Sequence, residues 1–83
     1  MSGQPLELDL RAMPCEARHL IVFAAWDQLS PGTFFILTND HDPVPLRLQL
    51  ARLGGSALEW DYLERGPQIY RVRITKATGS ESV

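Results

Sequence analysis

The alternation of apolar and polar positions along the chain predicts four strands. Leucines alternate with acidic residues over 6–10, which is typical of a strand with one buried face. Residues 33–38 are β-branched and aromatic on both faces, as expected for a central strand. Two further alternating runs, 57–64 and 68–76, predict a hairpin at the end of the chain.

Residues 15–29 predict the first helix, because they are good helix formers without an internal Gly or Pro. An aliphatic arc is expected to lie on the sheet. The opposite side carries acids, an imidazole and two large rings, which indicates either a contact surface or packing of the rings on a second helix. The aliphatic arc is Ala17, Ile21, Ala24, Ala25 and Leu29, and the opposite side is Glu16, His19, Phe23, Trp26 and Asp27.

The leucines of residues 43–53 fit both the alternation of a strand and the i, i+4, i+7 spacing of a helix. Pro43 and Pro45 disfavour a central strand, since neither has an amide hydrogen to donate. Asp42 is suited to the N-cap of a helix and Gly54 to its end. We therefore predict a second helix here.

A three-residue turn at 65–67 defines the predicted register of the hairpin. Asp61 would face Arg71 and Trp60 would face Val72, so that charges meet on one face and apolar groups on the other. The predicted fold class is α+β, a two-layer α/β sandwich ordered β-α-β-α-β-β. Its four-stranded mixed sheet would carry both helices on one face. We expect one domain over residues 1–83, with an ordered core at about 6–76 and flexible termini.

Charge and composition exclude several classes of protein. Eight basic and ten acidic side chains give a net charge of −2, without the basic stripe of a nucleic-acid binder. No apolar stretch approaches the ~20 residues that cross a bilayer, and no signal-peptide pattern is visible. One cysteine cannot form an internal disulfide. We expect a cytoplasmic protein that binds neither nucleic acid nor membrane.

Cys15 is a candidate nucleophile. At the first turn of a helix, free backbone amides favour the thiolate that a persulfide carrier requires. Glu16 opposes this, because its negative charge disfavours ionisation of the neighbouring thiol. The alternative interpretation is a small residue that fills the start of the helix.

A second group of residues suits ligand binding. Arg18 and His19 fit anion binding or acid–base chemistry, but no serine or second base completes a nucleophilic triad. An enzyme is therefore not expected, and neither is a cofactor. The candidate ligand- or partner-binding residues are Arg18, His19, Phe23, Trp26, Asp40 and His41.

A metal site is a further alternative. The side chains of His19, His41 and Asp42 carry donors that suit zinc, iron or manganese. Helix capping by Asp42 and an Asx turn at Asn39 or Asp40 explain the same segment without a metal.

The first strand–helix junction, Asp9-x-Arg11-x-Met13-Pro14-Cys15, resembles the sulfur carriers of the TusA or SirA family. The junction departs from them at Ala12, Glu16 and Arg18, where the carriers have Gly, Pro and Pro. A sister family of unknown function is more similar. It shares Arg-His at 18–19, Asn-Asp-His-Asp-Pro-x-Pro-Leu at 39–46 and Trp-x-Tyr-Leu-x-x-Gly-Pro at 60–67. The resemblance covers about residues 6–76 and implies a TusA-like two-layer fold without implying an activity.

Three functional hypotheses follow. The first is a non-enzymatic module that binds a protein partner or a small ligand through the face near His19, Trp26 and His41. The second is a sulfur or redox carrier that works through Cys15. The third is a metal-binding accessory domain.

Overall fold

The computed structural model describes residues 6–78. Residues 1–5 and 79–83 lie outside the described part, and with them most of the termini that we expect to be flexible. The elements are β1 (Leu6–Asp9), α1 (Cys15–Gln28), β2 (Phe34–Asn39), α2 (Val44–Gly54), β3 (Leu58–Arg65) and β4 (Tyr70–Lys76), with 3-10 turns at Leu10–Ala12 and Gly55–Ala57. The predicted order of strands and helices is confirmed, including the helix over residues 43–53.

The four strands form one mixed sheet in the order β1-β2-β4-β3. β1 pairs in parallel with β2, and β4 lies antiparallel between β2 and β3. A parallel pair needs a crossover connection, which α1 provides, while α2 connects β2 to the edge strand β3. The result is the α+β two-layer sandwich that the sequence predicts. No helix among residues 6–78 is long and apolar enough to span a membrane.

One face of the sheet supplies much of the core. Phe35, Leu37, Val72 and Ile74 are fully buried and alternate with more exposed neighbours. This alternation is expected for a sheet that is covered on one face only, and each such side chain contributes about 1.5–3 kcal/mol on burial. The other core residues are Leu10, Val22, Trp26, Leu46 and Leu50.

The predicted orientation of α1 is right in part, since Ala25 and Leu29 pack on the core, but the most buried positions lie elsewhere on the helix. Val22 is fully buried and Trp26 is only 6% exposed, whereas Ala24 is exposed. The Trp26 ring packs on the end of α2, since a Cβ at Gly54 would lie 2.6 Å from its Cζ2 atom. The alternative of packing on the second helix is confirmed for Trp26, and Phe23 packs half-buried against the same core. The large apolar area of the indole outweighs that of the small alanines in orienting the helix.

The predicted hairpin register is wrong by two residues. Asp61 faces Arg73 and Trp60 faces Ile74, because the loop contains four residues, 66–69, and β3 has an irregularity between residues 62 and 64. Gly66 begins the loop with a φ of 66°, a conformation that favours glycine. Over residues 58–62, which pair with residues 72–76, a shift of two residues keeps each side chain on its own face. The apolar and charged faces are therefore as predicted.

Asp42 does not cap α2. The N-cap is Pro43, and the Asp42 carboxylate instead accepts a hydrogen bond of 2.6 Å from the Tyr62 hydroxyl. Neither amide that a side-chain cap at Asp42 would use is free: the Val44 amide donates to the Asp42 backbone carbonyl oxygen at 2.8 Å, and Pro45 has no amide hydrogen. The Asp42–Tyr62 bond attaches the start of α2 to β3.

Lys76 holds the other end of α1. Its Nζ donates a 2.7 Å hydrogen bond to the Trp26 carbonyl oxygen and lies 4.7 Å from the centroid of the Trp26 ring. A cation near the last carbonyls of a helix stabilises that end through the helix dipole. This contact connects α1 to β4.

We expect Gly54→Ala to lower the free energy of unfolding by about 1–3 kcal/mol, because the new methyl group overlaps the Trp26 ring. Helix propensity alone predicts the opposite sign, with a gain of about 1 kcal/mol. Urea unfolding measures the difference. The same substitution in a Trp26→Phe background should cost less, since the smaller ring leaves space. An equal cost in both backgrounds would show that the overlap is not responsible.

Candidate functional site

An open cleft of about 110 Å³ lies where the parallel strands β1 and β2 end. The carboxyl ends of parallel strands are where ligands commonly bind in α/β sheets. The polar groups lining the cleft come from α1 and from the end of β2 with its following loop, and the apolar wall comes from the turn after β1 and from the start of α2. The polar residues are Arg18, His19, Asn39 and His41, and the apolar residues are Leu10, Pro43, Pro45 and Leu46.

Arg18 is the central polar residue of the cleft. Its side chain is 12% exposed. Nε donates to the Met13 carbonyl oxygen at 3.1 Å, and Nη1 donates to Asn39 Oδ1 at 2.9 Å. Asn39 is itself only 3% exposed. Two acceptors on separate elements therefore fix the guanidinium in place.

The Arg18 guanidinium keeps donors for a further acceptor. Arginine has five N–H donors, and Met13 and Asn39 use two of them. The carboxylate of Asp40 lies 3.6 Å from Nη1, which is an ion-pair distance and too long for a hydrogen bond. Among the side chains of residues 6–78 that the structure describes, no other acceptor bonds this group.

His19 lines the cleft next to Arg18. Its ring makes an edge contact with Phe23, four residues along α1, with 6.0 Å between the ring centroids. Phe23 does not line the cleft, so it positions His19 and does not contact the site. Trp26, the other aromatic residue predicted to bind, does not line the cleft, because its ring is buried in the core against α2.

Asp40 and His41 form a polar pair at the rim of the cleft. His41 Nδ1 lies 2.7 Å from Asp40 Oδ1, and both side chains are at least half exposed. The hydrogen bond from His41 and the positive charge of Arg18 lower the pKa of the Asp40 carboxyl below its ordinary value of 3.8. A negative charge therefore stays at the rim under all but strongly acidic conditions.

Asn39 is the site residue that sequence reasoning missed, since an Asx turn was its only expected role. Strand alternation places it on the same face as Phe35 and Leu37. A polar residue at a buried strand position needs a hydrogen-bond partner. The need for such a partner is the feature of the sequence that could have identified Asn39 as part of the site.

The Asp9-x-Arg11 part of the junction builds the cleft and does not line it. The Arg11 Nε and Nη2 atoms donate to the two Asp9 carboxylate oxygens at 2.9 and 2.8 Å. These hydrogen bonds bring the pKa of Asp9 down to about 2. The Asp9 carboxylate also accepts from the Arg11 amide, which caps the 3-10 turn that places Leu10 in the apolar wall.

The structure does not assemble the candidate metal ligands. Within residues 6–78, no three His, Cys, Asp or Glu side chains lie together so that they could hold a metal ion. Asp42 is bonded to Tyr62 on β3 and does not join His19 and His41. Cys15 is the first residue of α1, but its side chain lies outside the described part, so that its role as a carrier stays a prediction.

The comparisons with known proteins identify a family. The family described as "Uncharacterized conserved protein (DUF2249)" matches residues 7–76. The chain belongs to the DUF2249 family. No curated protein and no solved structure matches it. All eight residues that line the cleft fall within the part that matches DUF2249.

We expect the Asp40 carboxyl of this DUF2249 protein to titrate below pH 3.8, its ordinary pKa, and its midpoint to rise in His41→Ala. The reason is that the hydrogen bond from His41 is the largest cause of the lowered pKa. The carboxyl NMR chemical shift of Asp40 measures both midpoints, and Asp9 serves as an internal control whose pKa should stay at about 2.

Because the folded pKa of Asp40 is lowered, the stability contributed by Asp40 is present above its ordinary pKa. That contribution is lost as the pH falls through the folded value, so His41→Ala should reduce stability more at pH 6 than at pH 2. An unchanged Asp40 midpoint in the variant would contradict this assignment.

We expect Arg18→Met to destabilise the protein by about 1–3 kcal/mol, since the buried Asn39 carbonyl oxygen loses its partner. Replacing both partners leaves no unpaired group at residue 39, while the Met13 carbonyl oxygen loses its donor equally in the single and double variants that lack Arg18. The double variant Arg18→Met/Asn39→Leu should therefore cost less than the sum of the two single variants. Urea unfolding of the four proteins measures this coupling. Additive costs would show that the Arg18–Asn39 bond does not hold α1 to β2.

Proposed function

We propose that this DUF2249 protein is a non-enzymatic binding module and that its ligand site is the cleft around Arg18. The observation that supports this most strongly is a guanidinium that is fixed by Met13 and Asn39 and still has donors directed to no described group. Preorganisation of this kind lowers the entropic cost of binding a ligand.

The shape of the site favours a small ligand over a protein partner. A cleft of about 110 Å³ is smaller than the roughly 300–1,000 Å³ of sites for drug-sized molecules. The protruding surface of Phe23 and Trp26 that a protein partner would contact is not present, because both rings pack on the core. A ligand of a few heavy atoms therefore suits this site best.

The residues in the cleft favour binding over nucleophilic catalysis. The polar groups that line it are one guanidinium, two imidazoles and one amide, and none of these eight residues supplies a hydroxyl, thiol, amine or carboxylate nucleophile. Catalysis through a serine, cysteine, lysine or carboxylate nucleophile needs such a group next to a base. The polar groups present are instead ones that hold and orient a ligand.

Titration of the isotope-labelled protein with propionate, propylamine and 2-propanol tests this proposal. The three probes have similar size and different charge. At least one should shift the amide NMR signals of the cleft residues in a saturable way, with a Kd in the millimolar range typical of such small ligands, where 1 mM is about 4 kcal/mol.

Two variants serve as controls. Arg18→Lys retains the charge but loses the planar fork, and we expect it to weaken binding at least about tenfold. Cys15→Ser should leave binding unchanged. If no probe shifts the cleft signals selectively, or if binding depends on Cys15 and not on Arg18, the proposal is wrong.

A further inference from the structure

Building on the proposed function, we infer that the cleft selects a short-chain monocarboxylate. Its carboxylate would pair with the free end of the Arg18 guanidinium, and its alkyl chain would lie on the apolar wall. Three observations carry this inference, concerning the direction of the free donors, the charge at the rim and the composition of the wall.

The free donors of Arg18 suit a planar oxyanion. Met13 occupies Nε and Asn39 occupies one hydrogen of Nη1, so the remaining donors are those of Nη2 and the second hydrogen of Nη1. Nη2 keeps both of its hydrogens and Nη1 keeps one, so these two nitrogens form a fork of donors for the two oxygens of a carboxylate. A lysine at this position would offer no such fork.

The charge at the rim favours a monoanion over a dianion. Asp40 Oδ1 lies 3.6 Å from Arg18 Nη1 and takes a hydrogen bond from His41. Asp40 therefore offsets part of the Arg18 charge without occupying its donors. A ligand with a second negative charge would be repelled by this carboxylate at close range.

The wall of the cleft suits an alkyl group. Leu10 and Leu46 are 1% and 3% exposed, so they form a firm apolar surface, and Pro43 and Pro45 add rigid rings beside it. At about 110 Å³, the cleft is of a size for a ligand of a few heavy atoms. The site should therefore accept a carboxylate with an alkyl chain of two or three carbons, as in propionate or butyrate.

Calorimetric titration at low salt with acetate, propionate, butyrate and hexanoate tests the wall. We expect Kd to fall about three- to fourfold for each added methylene, the ratio given by the burial of one CH₂ group. The fall should stop after butyrate, because the cleft is then full. An affinity that does not depend on chain length would overturn the inference.

Titration with sulfate tests the charge at the rim. The wild type should bind propionate more tightly than sulfate. Asp40→Asn removes the repelling charge from an exposed position and should increase sulfate affinity at least about fivefold. Asp27→Asn is the matched control, since Asp27 is an equally exposed carboxylate at the opposite end of α1, and it should change nothing. Sulfate that binds the wild type as tightly as propionate would overturn the inference.

Failure of the inference and failure of the proposed function give different results. If propylamine or 2-propanol shifts the cleft signals and propionate does not, the monocarboxylate is excluded while a binding function stands. If none of these probes, sulfate included, reaches the cleft, both are excluded.

Discussion

The structure of the site depends on a guanidinium that is mostly removed from water. A cation in that position destabilises a protein unless its donors are satisfied. For Arg18, the acceptors come from the loop before α1 and from the last residue of β2. The two hydrogen bonds of the Arg18 guanidinium therefore hold the start of α1 against the end of β2, and this is where the cleft lies. Stability and site geometry are here consequences of one set of hydrogen bonds.

The opposite end of α1 sets the rotation of the helix. Arg18, Val22 and Trp26 are spaced four residues apart and lie on one face of the helix. Trp26 is held between Gly54 at the end of α2 and the ammonium group of Lys76 on β4. The rotation that buries this ring is also the rotation that turns Arg18 inward. The indole of Trp26 and the guanidinium of Arg18, about two helical turns apart, are therefore oriented by the same rotation of α1.

Sequence patterns predicted the strands and helices, which depend on the spacing of apolar residues. They missed features that depend on the size of a side chain or on the packing of one element on another. Alternation and helical spacing identify every strand and both helices, and Arg18, His19 and His41 do meet in one cleft. A helical wheel shows the position of each side chain and not its size. It therefore does not show that the large ring of Trp26 turns inward on α1 in place of Ala24. Residue counting cannot detect the irregularity between residues 62 and 64 or the four-residue loop, which together shift the pairing of residues 58–62 by two. Asn39 was missed because its burial depends on the tertiary packing of α1 on β2.

Arg11 shows by contrast what is distinctive about Arg18. Two nitrogens of Arg11 donate to the two oxygens of the Asp9 carboxylate, at 2.9 and 2.8 Å. A full negative charge there accepts the hydrogen bonds of the guanidinium. The acceptors that hydrogen-bond Arg18 are a backbone carbonyl and a side-chain amide, which satisfy donor directions and leave the charge in place. The one carboxylate nearby, that of Asp40, is beyond hydrogen-bond distance and is bonded to His41. A cation whose hydrogen bonds go to neutral groups, and whose charge Asp40 offsets only in part, retains an attraction for an anion. This is the physical reason for proposing Arg18, and not Arg11, as the binding residue.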